Sequence, residues 1–136
     1  MPKGSEELAQ ARKNEIINAC AELYETMNFK DVTLKDIGAR TSFTRTLIYY
    51  YFHTKEEIFL ALLQKEYEAW CRDLDAIRSG RRQMSAEQFA SELAHSLERR
   101  SRLLELLSMN HYDMRPTAVW KIWWRSRRPM EIPCAQ

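Results

Sequence analysis

The segment from Thr33 to Glu57 constrains the fold most strongly, because its capping residues mark where helices begin. It reads TLKDIGARTSFTRTLIYYYFHTKEE. Thr33-x-x-Asp36 and Thr54-x-x-Glu57 are capping boxes, in which a threonine and an acidic side chain three residues later satisfy backbone N–H groups at a helix start. The segment therefore predicts three helical starts, namely short helices over 34–40 and 44–50 and a longer one from Lys55.

The N-terminal part of the chain carries the periodicity of an amphipathic helix. Ile16, Cys20 and Leu23 recur at a spacing that places them on one helical face. Polar side chains lie off that face, namely Lys13, Asn14, Asn18, Glu22 and Glu25. This pattern predicts a first helix from about Glu6 to Met27.

Three further helices are predicted after the capped segment. The chain from Lys55 to Ser79 contains no glycine or proline. Some two dozen helical residues at ~1.5 Å each extend on the order of 36 Å. Such a helix is longer than a three-helix unit needs, so it should bridge to a second unit. Ser85 begins another capping box, and the run over 103–109 is apolar nearly all round, so that helix needs several partners.

Composition and motifs exclude several classes of function. The cysteines and histidines are scattered and form no metal-binding pattern. No glycine-rich phosphate loop, HExxH motif or recognisable nucleophile is present, so we expect neither an enzyme nor a cofactor. No apolar run could cross a bilayer, and the charged N-terminus lacks a secretory signal, which favours a cytoplasmic protein. The net charge of +2 arises in the last part of the chain, so bulk charge does not predict a nucleic-acid partner.

The helix over 44–50 has a composition that suits a surface for nucleic acid. It carries hydroxyls, one arginine and, at its end, the run Tyr49-Tyr50-Tyr51. Hydroxyl and guanidinium groups can reach base edges in the DNA major groove, and a tyrosine hydroxyl can bond a phosphate. Successive residues of a helix are rotated by about 100°, so three consecutive rings cannot all be buried. We expect Tyr51 to face inward.

The segment from Asn14 to Phe59 resembles the N-terminal domain of TetR-type bacterial transcriptional regulators. The resemblance rests on VTLKDIG, which begins at Val32, and on IYYYFHTKEEI, which begins at Ile48, together with the order and length of the flanking helices. The chain departs from the family at the turn, where Ser42 replaces the usual glycine. It departs again at Leu47, where the family commonly has a small residue or threonine and where we expect packing rather than contact with a thymine methyl group.

The resemblance implies roles for eight residues. By this resemblance, Thr33 caps the second helix and can meet a phosphate, and Lys35 contacts the backbone or a base from the same helix. The residues implied to meet base edges are Thr44, Arg45 and Thr46. Tyr49 and Tyr50 are implied to face phosphates, and Lys55 to bind a phosphate at the start of the fourth helix. The implied partner is double-stranded DNA with a palindromic operator, bound by a homodimer.

We therefore expect an all-α fold in three parts. Residues 1–54 form a three-helix DNA-binding domain with a helix-turn-helix, and residues 55–113 form a long connecting helix and the start of a ligand-binding and dimerisation domain. In the family, a small-molecule effector bound in that second domain relieves repression. Two other hypotheses stay open: a helical protein-interaction module without a DNA role, and a truncated relic of the regulator.

Residues 114–136 differ in character from the rest of the chain. They read MRPTAVWKIWWRSRRPMEIPCAQ and hold three of the four tryptophans. A basic aromatic tail for nucleic acid or membrane is one interpretation. We favour a frameshift, because moving the reading frame by one base turns the tryptophan-rich run into an ordinary amphipathic helix. This atypical tail would leave the second domain incomplete, so we expect dimerisation and operator binding to be impaired in this chain.

Overall fold

The computed structural model describes residues 3–80 and 83–114, and these residues form helices without a single strand. The elements are α1 (Lys3–Tyr24), α2 (Leu34–Ala39), α3 (Arg45–Tyr51), α4 (Lys55–Gly80), α5 (Ala86–Glu98) and α6 (Ser101–Met109). A π-helical turn, Asn110–Met114, continues α6. The predicted all-α fold is confirmed. Met114, the first residue of the predicted tail over 114–136, is buried in the core, whereas residues 115–136 lie outside the described residues, as does the interpretation made for them.

Local hydrogen bonds set the helix starts that the sequence predicts. The Thr33 hydroxyl accepts a bond from the backbone N–H of Asp36 at 3.2 Å, and the Asp36 carboxylate accepts from the Thr33 N–H at 3.0 Å. Ser85 and Gln88 form the same reciprocal box at the start of α5. At α4 the Glu57 N–H donates to the Thr54 hydroxyl, so this half of the predicted box is present. The other half differs, because the Glu57 carboxylate accepts from the backbone N–H of the residue before Thr54.

One continuous hydrophobic core joins the first three helices to α4 and α6. Its fully buried side chains come from every element of the helix-turn-helix unit and from α6 beyond it, and they include Ile16, Cys20, Ile37, Ile48, Phe59, Leu103 and Leu106. The long helix α4 contacts α1, α5 and α6. The two short helices, α2 and α3, therefore pack against a hydrophobic core that extends beyond them to α6.

Gly38 in α2 allows close packing against α3. A Cβ atom at this position would lie 3.3 Å from the Cδ1 of Ile48. The sequence predicts that this glycine admits another backbone, but the group that approaches it is a side chain. The difference arises because the terminal Cδ1 methyl of Ile48, on α3, lies directly against the small residue.

Polar contacts tie α6 to the first helical unit. The guanidinium of Arg102 donates to the Glu25 carboxylate at 2.6 Å and lies 3.7 Å from the Glu66 carboxylate on α4. Arg100, at the start of α6, binds the carboxylate of Asp73 on α4 through two bonds of 2.7 and 3.0 Å. This bidentate pair lowers the pKa of Asp73, chiefly through the hydrogen bonds from Arg100. The contacts fix α6 against both α4 and the chain segment that follows α1.

The sixth helix buries only part of its apolar surface. Leu103 and Leu106 are fully buried, whereas Leu104 and Leu107 remain exposed, as does Phe89 on α5. The sequence predicts several partners for α6, and the described residues cover one side of it. Within residues 3–80 and 83–114, the helices are too short or too polar to traverse a lipid bilayer.

Candidate nucleic-acid interface

Helix α3 has one buried face and one polar face. At about 100° per residue, Arg45, Thr46, Tyr49 and Tyr50 fall within one half of the helix circumference, and all four are exposed. Ile48 lies on the opposite half and has none of its surface exposed. The burial of this one isoleucine determines which way the polar face points.

The N-terminus of α3 lies on the same exposed surface. Thr44 caps the helix, with its hydroxyl accepting from the Leu47 N–H at 3.4 Å. Its side chain is exposed, as are those of Arg45 and Thr46. Leu47 is half-buried, in keeping with the packing role expected for it. The first turn of α3 therefore presents two hydroxyls and a guanidinium together, the groups that can reach base edges.

The three consecutive tyrosines occupy three environments. Tyr50 is 77% exposed and Tyr49 is 38% exposed. Tyr51 packs against the hydrophobic core, as predicted. The Tyr50 and Tyr51 rings meet edge to face with centroids 5.1 Å apart, which braces the exposed ring. Tyr50 consequently offers its hydroxyl to solvent from a ring held on one side.

Arg45 and Tyr49 are paired on the exposed face of α3. The Nη2 of Arg45 donates to the Tyr49 hydroxyl oxygen at 3.3 Å. The guanidinium carbon also lies 5.6 Å from the centre of the Tyr49 ring, a distance at which a cation is attracted to an aromatic face. Two weak contacts therefore restrict the arginine before any ligand is present.

Thr33 and Lys35 lie at the start of α2, and both are exposed. The Thr33 hydroxyl donates to the Asp36 carboxylate at 2.7 Å while it accepts from the backbone of the same residue. These bonds from Thr33 hold the pKa of the Asp36 carboxyl below its usual range. Thr33 therefore acts in the structure as a cap, and its phosphate contact stays a prediction.

The amine of Lys55 is bonded inside the protein. Its Nζ donates to the carbonyl oxygens of Phe29 at 2.7 Å, Val32 at 3.0 Å and Lys30 at 3.3 Å. It also lies 4.5 Å from the centre of the Phe29 ring. An ammonium group has three N–H donors, and three acceptors surround this one. The contact with phosphate implied by the resemblance stays a prediction, and the structure shows a role in holding the loop after α1.

A carboxylate on α1 holds the turn between α2 and α3. The Oε1 of Glu15 accepts from the backbone N–H of Ser42 at 3.0 Å and from its hydroxyl at 2.9 Å. Sequence reasoning misses Glu15, because the residue is a polar position on an amphipathic helix with no local motif around it. Ser42 is the position where the family usually has glycine, and its hydroxyl supplies one of the two bonds.

The described residues hold no group of three side chains that could bind a metal ion. The two cysteines in this part of the chain, Cys20 and Cys71, are free thiols, and Cys20 is buried. Burial raises the pKa of the Cys20 thiol to about 12. A protonated thiol of this kind behaves as a small apolar side chain in the core.

Two short helices around a fixed turn, with a polar exposed face on the second, form a helix-turn-helix unit. The sequence profile described as "Bacterial regulatory proteins, tetR family" matches residues 16–62. The profile described as "Tetracyclin repressor-like, C-terminal domain" matches residues 64–112. The chain belongs to the TetR family of bacterial regulatory proteins, so the resemblance is confirmed and extends into the second predicted domain.

Curated relatives agree with this family. The chain is 30% identical over 74 residues to the uncharacterized HTH-type transcriptional regulator YfiR of Bacillus subtilis, covering 54% of this chain and 36% of that protein. It is 28% identical over 68 residues to the HTH-type transcriptional regulator RutR of Escherichia coli, covering 50% of this chain and 32% of that protein. The match thus spans about a third of the length of these relatives. No solved structure matches the chain significantly.

Proposed function

We propose that the chain is a sequence-specific DNA-binding transcriptional regulator that reads duplex DNA through the exposed face of α3. The observation that carries this proposal is the division of α3 between Ile48, which is fully buried, and a polar half that includes Arg45. A short helix with these groups can enter the major groove, where hydroxyls and guanidinium groups distinguish base pairs. Names of the curated relatives support the same function.

The proposed contacts divide into base readout and phosphate binding. Thr44, Arg45 and Thr46 lie in the first turn of α3, the part of a recognition helix that meets base edges. Lys35 on α2 and the exposed Tyr50 flank that turn and can bind phosphates. Phosphate contacts set the position of the protein on the duplex, whereas base contacts set its preference among sequences.

We extend the proposal to a full-length parent that binds a palindromic operator as a homodimer, an assembly that we expect to be impaired in this chain. Two recognition helices must reach successive major-groove faces roughly 34–36 Å apart. In this division residues 1–54 bind DNA, and residues 55–113 begin the ligand-binding and dimerisation domain of a full-length parent. A regulator of this kind most simply acts as a repressor that a small ligand releases.

The contacts of α6 support a mechanical link between these two parts. Arg102 joins α6 to Glu25 and to Glu66, so a shift of α6 would pull on the end of α1 and on α4 together. Helix α4 has 26 residues and begins after a short connection that follows α3. A ligand that moved α6 could therefore change the spacing between two recognition helices.

A second candidate function is a helical protein-interaction module. The exposed apolar side chains of Phe89, Leu104 and Leu107 favour it, since such groups mark surfaces that other proteins cover. The two candidates differ in their dependence on DNA. A protein module would bind duplex DNA no better than its net charge of +2 allows.

Selection from a randomised duplex pool tests the regulator directly. The wild-type chain, Arg45→Ala and Arg78→Ala are then each titrated into the enriched duplex at about 50 and about 200 mM salt. Arg78 is an exposed arginine near the end of α4, so its removal matches the loss of charge without touching α3. Loss of one bidentate base contact should cost ~1–3 kcal/mol, which corresponds to about 5- to 150-fold in affinity.

The expected result is sequence enrichment by the wild-type chain, at the lowered affinity expected from an incomplete dimerisation domain, and a loss of specific affinity for Arg45→Ala alone. The Arg78→Ala variant should bind as the wild type does, apart from a small change common to all duplexes. If no sequence is enriched, or if both variants lose the same affinity, the regulator proposal is wrong. Binding of a protein partner without any DNA preference would support the interaction module instead.

A further inference from the structure

We propose that Tyr49 positions Arg45 to recognise a guanine at one position of each operator half-site. This inference rests on the proposed function and deepens it. The sequence resemblance implies a phosphate contact for Tyr49. In the structure, the hydroxyl and the ring of Tyr49 both contact Arg45. Tyr49 is thus a positioning residue, and Arg45 is the group that touches the base.

The geometry of the pair determines what the arginine can still bind. A guanidinium group has five N–H donors in a planar fork. The Tyr49 hydroxyl accepts from one N–H on Nη2 at 3.3 Å, which leaves four N–H groups: one on Nε, one on Nη2 and two on Nη1. These still include two parallel donors, which match the O6 and N7 acceptors that guanine presents in the major groove.

Pairing also limits the orientations available to the arginine. Residues four apart on a helix lie on the same face, so the Tyr49 ring supports the guanidinium from the adjacent turn at 5.6 Å. A side chain that is ordered before binding loses less conformational entropy when it binds. The pair therefore favours guanine, which can accept from both parallel N–H donors of Arg45, over bases that can accept from only one.

Tyr50 provides the internal comparison. It is the neighbouring tyrosine, with 77% of its surface exposed against 38% for Tyr49. Its ring contacts Tyr51 edge to face rather than an arginine. Tyr50 should bind phosphate without regard to sequence, so the two tyrosines should affect binding in different ways.

The test uses Tyr49→Phe, which removes the hydroxyl alone, with Tyr50→Phe as its matched control. Affinities are measured on the selected duplex and on duplexes carrying each other base pair at every contacted position. We expect Tyr49→Phe to lower the preference for guanine at one position by about 2- to 5-fold, with an unchanged salt slope. Tyr50→Phe should weaken binding to all duplexes alike, because a lost phosphate contact carries no sequence information.

A double-mutant cycle with Arg45→Ala assigns the effect. In the Arg45→Ala background the guanine preference should be gone, and Tyr49→Phe should then change nothing more. If Tyr49→Phe retains the full preference, or if its effect persists without Arg45, the inference is wrong. A wild-type chain that enriches no sequence refutes the proposed function and the inference together, whereas an Arg45-dependent guanine preference that ignores Tyr49 refutes the inference alone.

A measurement without DNA keeps the inference falsifiable on its own. The Nε–H of Arg45 can be followed by nitrogen-15 relaxation in the wild-type chain, Tyr49→Phe and Tyr50→Phe. Greater mobility of Arg45 in Tyr49→Phe alone supports the pairing in solution. Equal mobility in all three proteins overturns it. Tyr49 is partly exposed and outside the core, so circular dichroism should show that both variants fold.

Discussion

Replacing Lys55 with methionine tests whether this residue supports the fold or binds phosphate. Methionine keeps most of the apolar stem and removes the ammonium group. The wild-type amine donates to three carbonyl oxygens of the loop after α1, at 2.7, 3.0 and 3.3 Å. Two of these acceptors, on Phe29 and Val32, are partly buried, whereas the one on Lys30 is exposed and can bond water instead.

The expected loss of stability follows from the two partly buried carbonyls. A polar group left without its partner costs ~1–3 kcal/mol, and partial exposure places these two toward the lower half of that range. The Lys55→Met variant should therefore lose about 2–4 kcal/mol in the free energy of unfolding. With a urea m-value of ~1–3 kcal/mol per molar, the unfolding midpoint should fall by about 0.7–4 M.

Urea unfolding followed by circular dichroism measures this loss. Lys35→Met is the matched control, since it removes the same charge from an exposed position on α2. Its free energy of unfolding should change by no more than ~0.5 kcal/mol. If Lys55→Met is as stable as Lys35→Met, the reasoning is refuted. If Lys55→Met also flattens the salt dependence of DNA binding, the phosphate contact implied by the family resemblance applies after all.

Two further predictions concern the ends of α2. Glu15→Ala should expose the backbone N–H of Ser42 to solvent, so hydrogen exchange of that amide should quicken while core amides exchange as before; unchanged protection at Ser42 would argue against the contact. Asp36 has a pKa lowered by the hydrogen bonds from Thr33, so its contribution to stability is complete above the unfolded pKa of about 4 and is lost as the pH falls through the lower folded value. Urea midpoints at pH 6 and pH 3 should therefore differ less in Asp36→Asn than in the wild type, and an equal difference would contradict this assignment.

The exposed apolar groups of α5 and α6 show where helical periodicity stops being informative. The pattern over 103–109 predicts a helix with several partners, and α6 forms at that place. The same pattern does not indicate which sides are covered. Burial of Leu103 and Leu106 with exposure of Leu104 and Leu107 depends on the position of α4, which lies dozens of residues away in the chain.

The candidate interface divides in a similar way. The composition of α3 predicts a polar surface, and its capping threonine predicts where the helix begins. The pairing of Arg45 with Tyr49 could be read from their spacing of four residues, although only coordinates show that the guanidinium turns toward the ring. The site roles of the eight predicted residues stay predictions until binding is measured.

The amino-acid sequence alone determined the features whose partners lie within one helical turn. The caps at Thr33 and Ser85 depend on partners three residues away, so local chemistry is enough to predict them. Only the tertiary structure decided the roles of Glu15 and Lys55, whose partners lie between 23 and 27 residues away. A charged side chain reaches such partners only after helix crossing has brought distant backbone into range, and that crossing is set by the packing of the whole core.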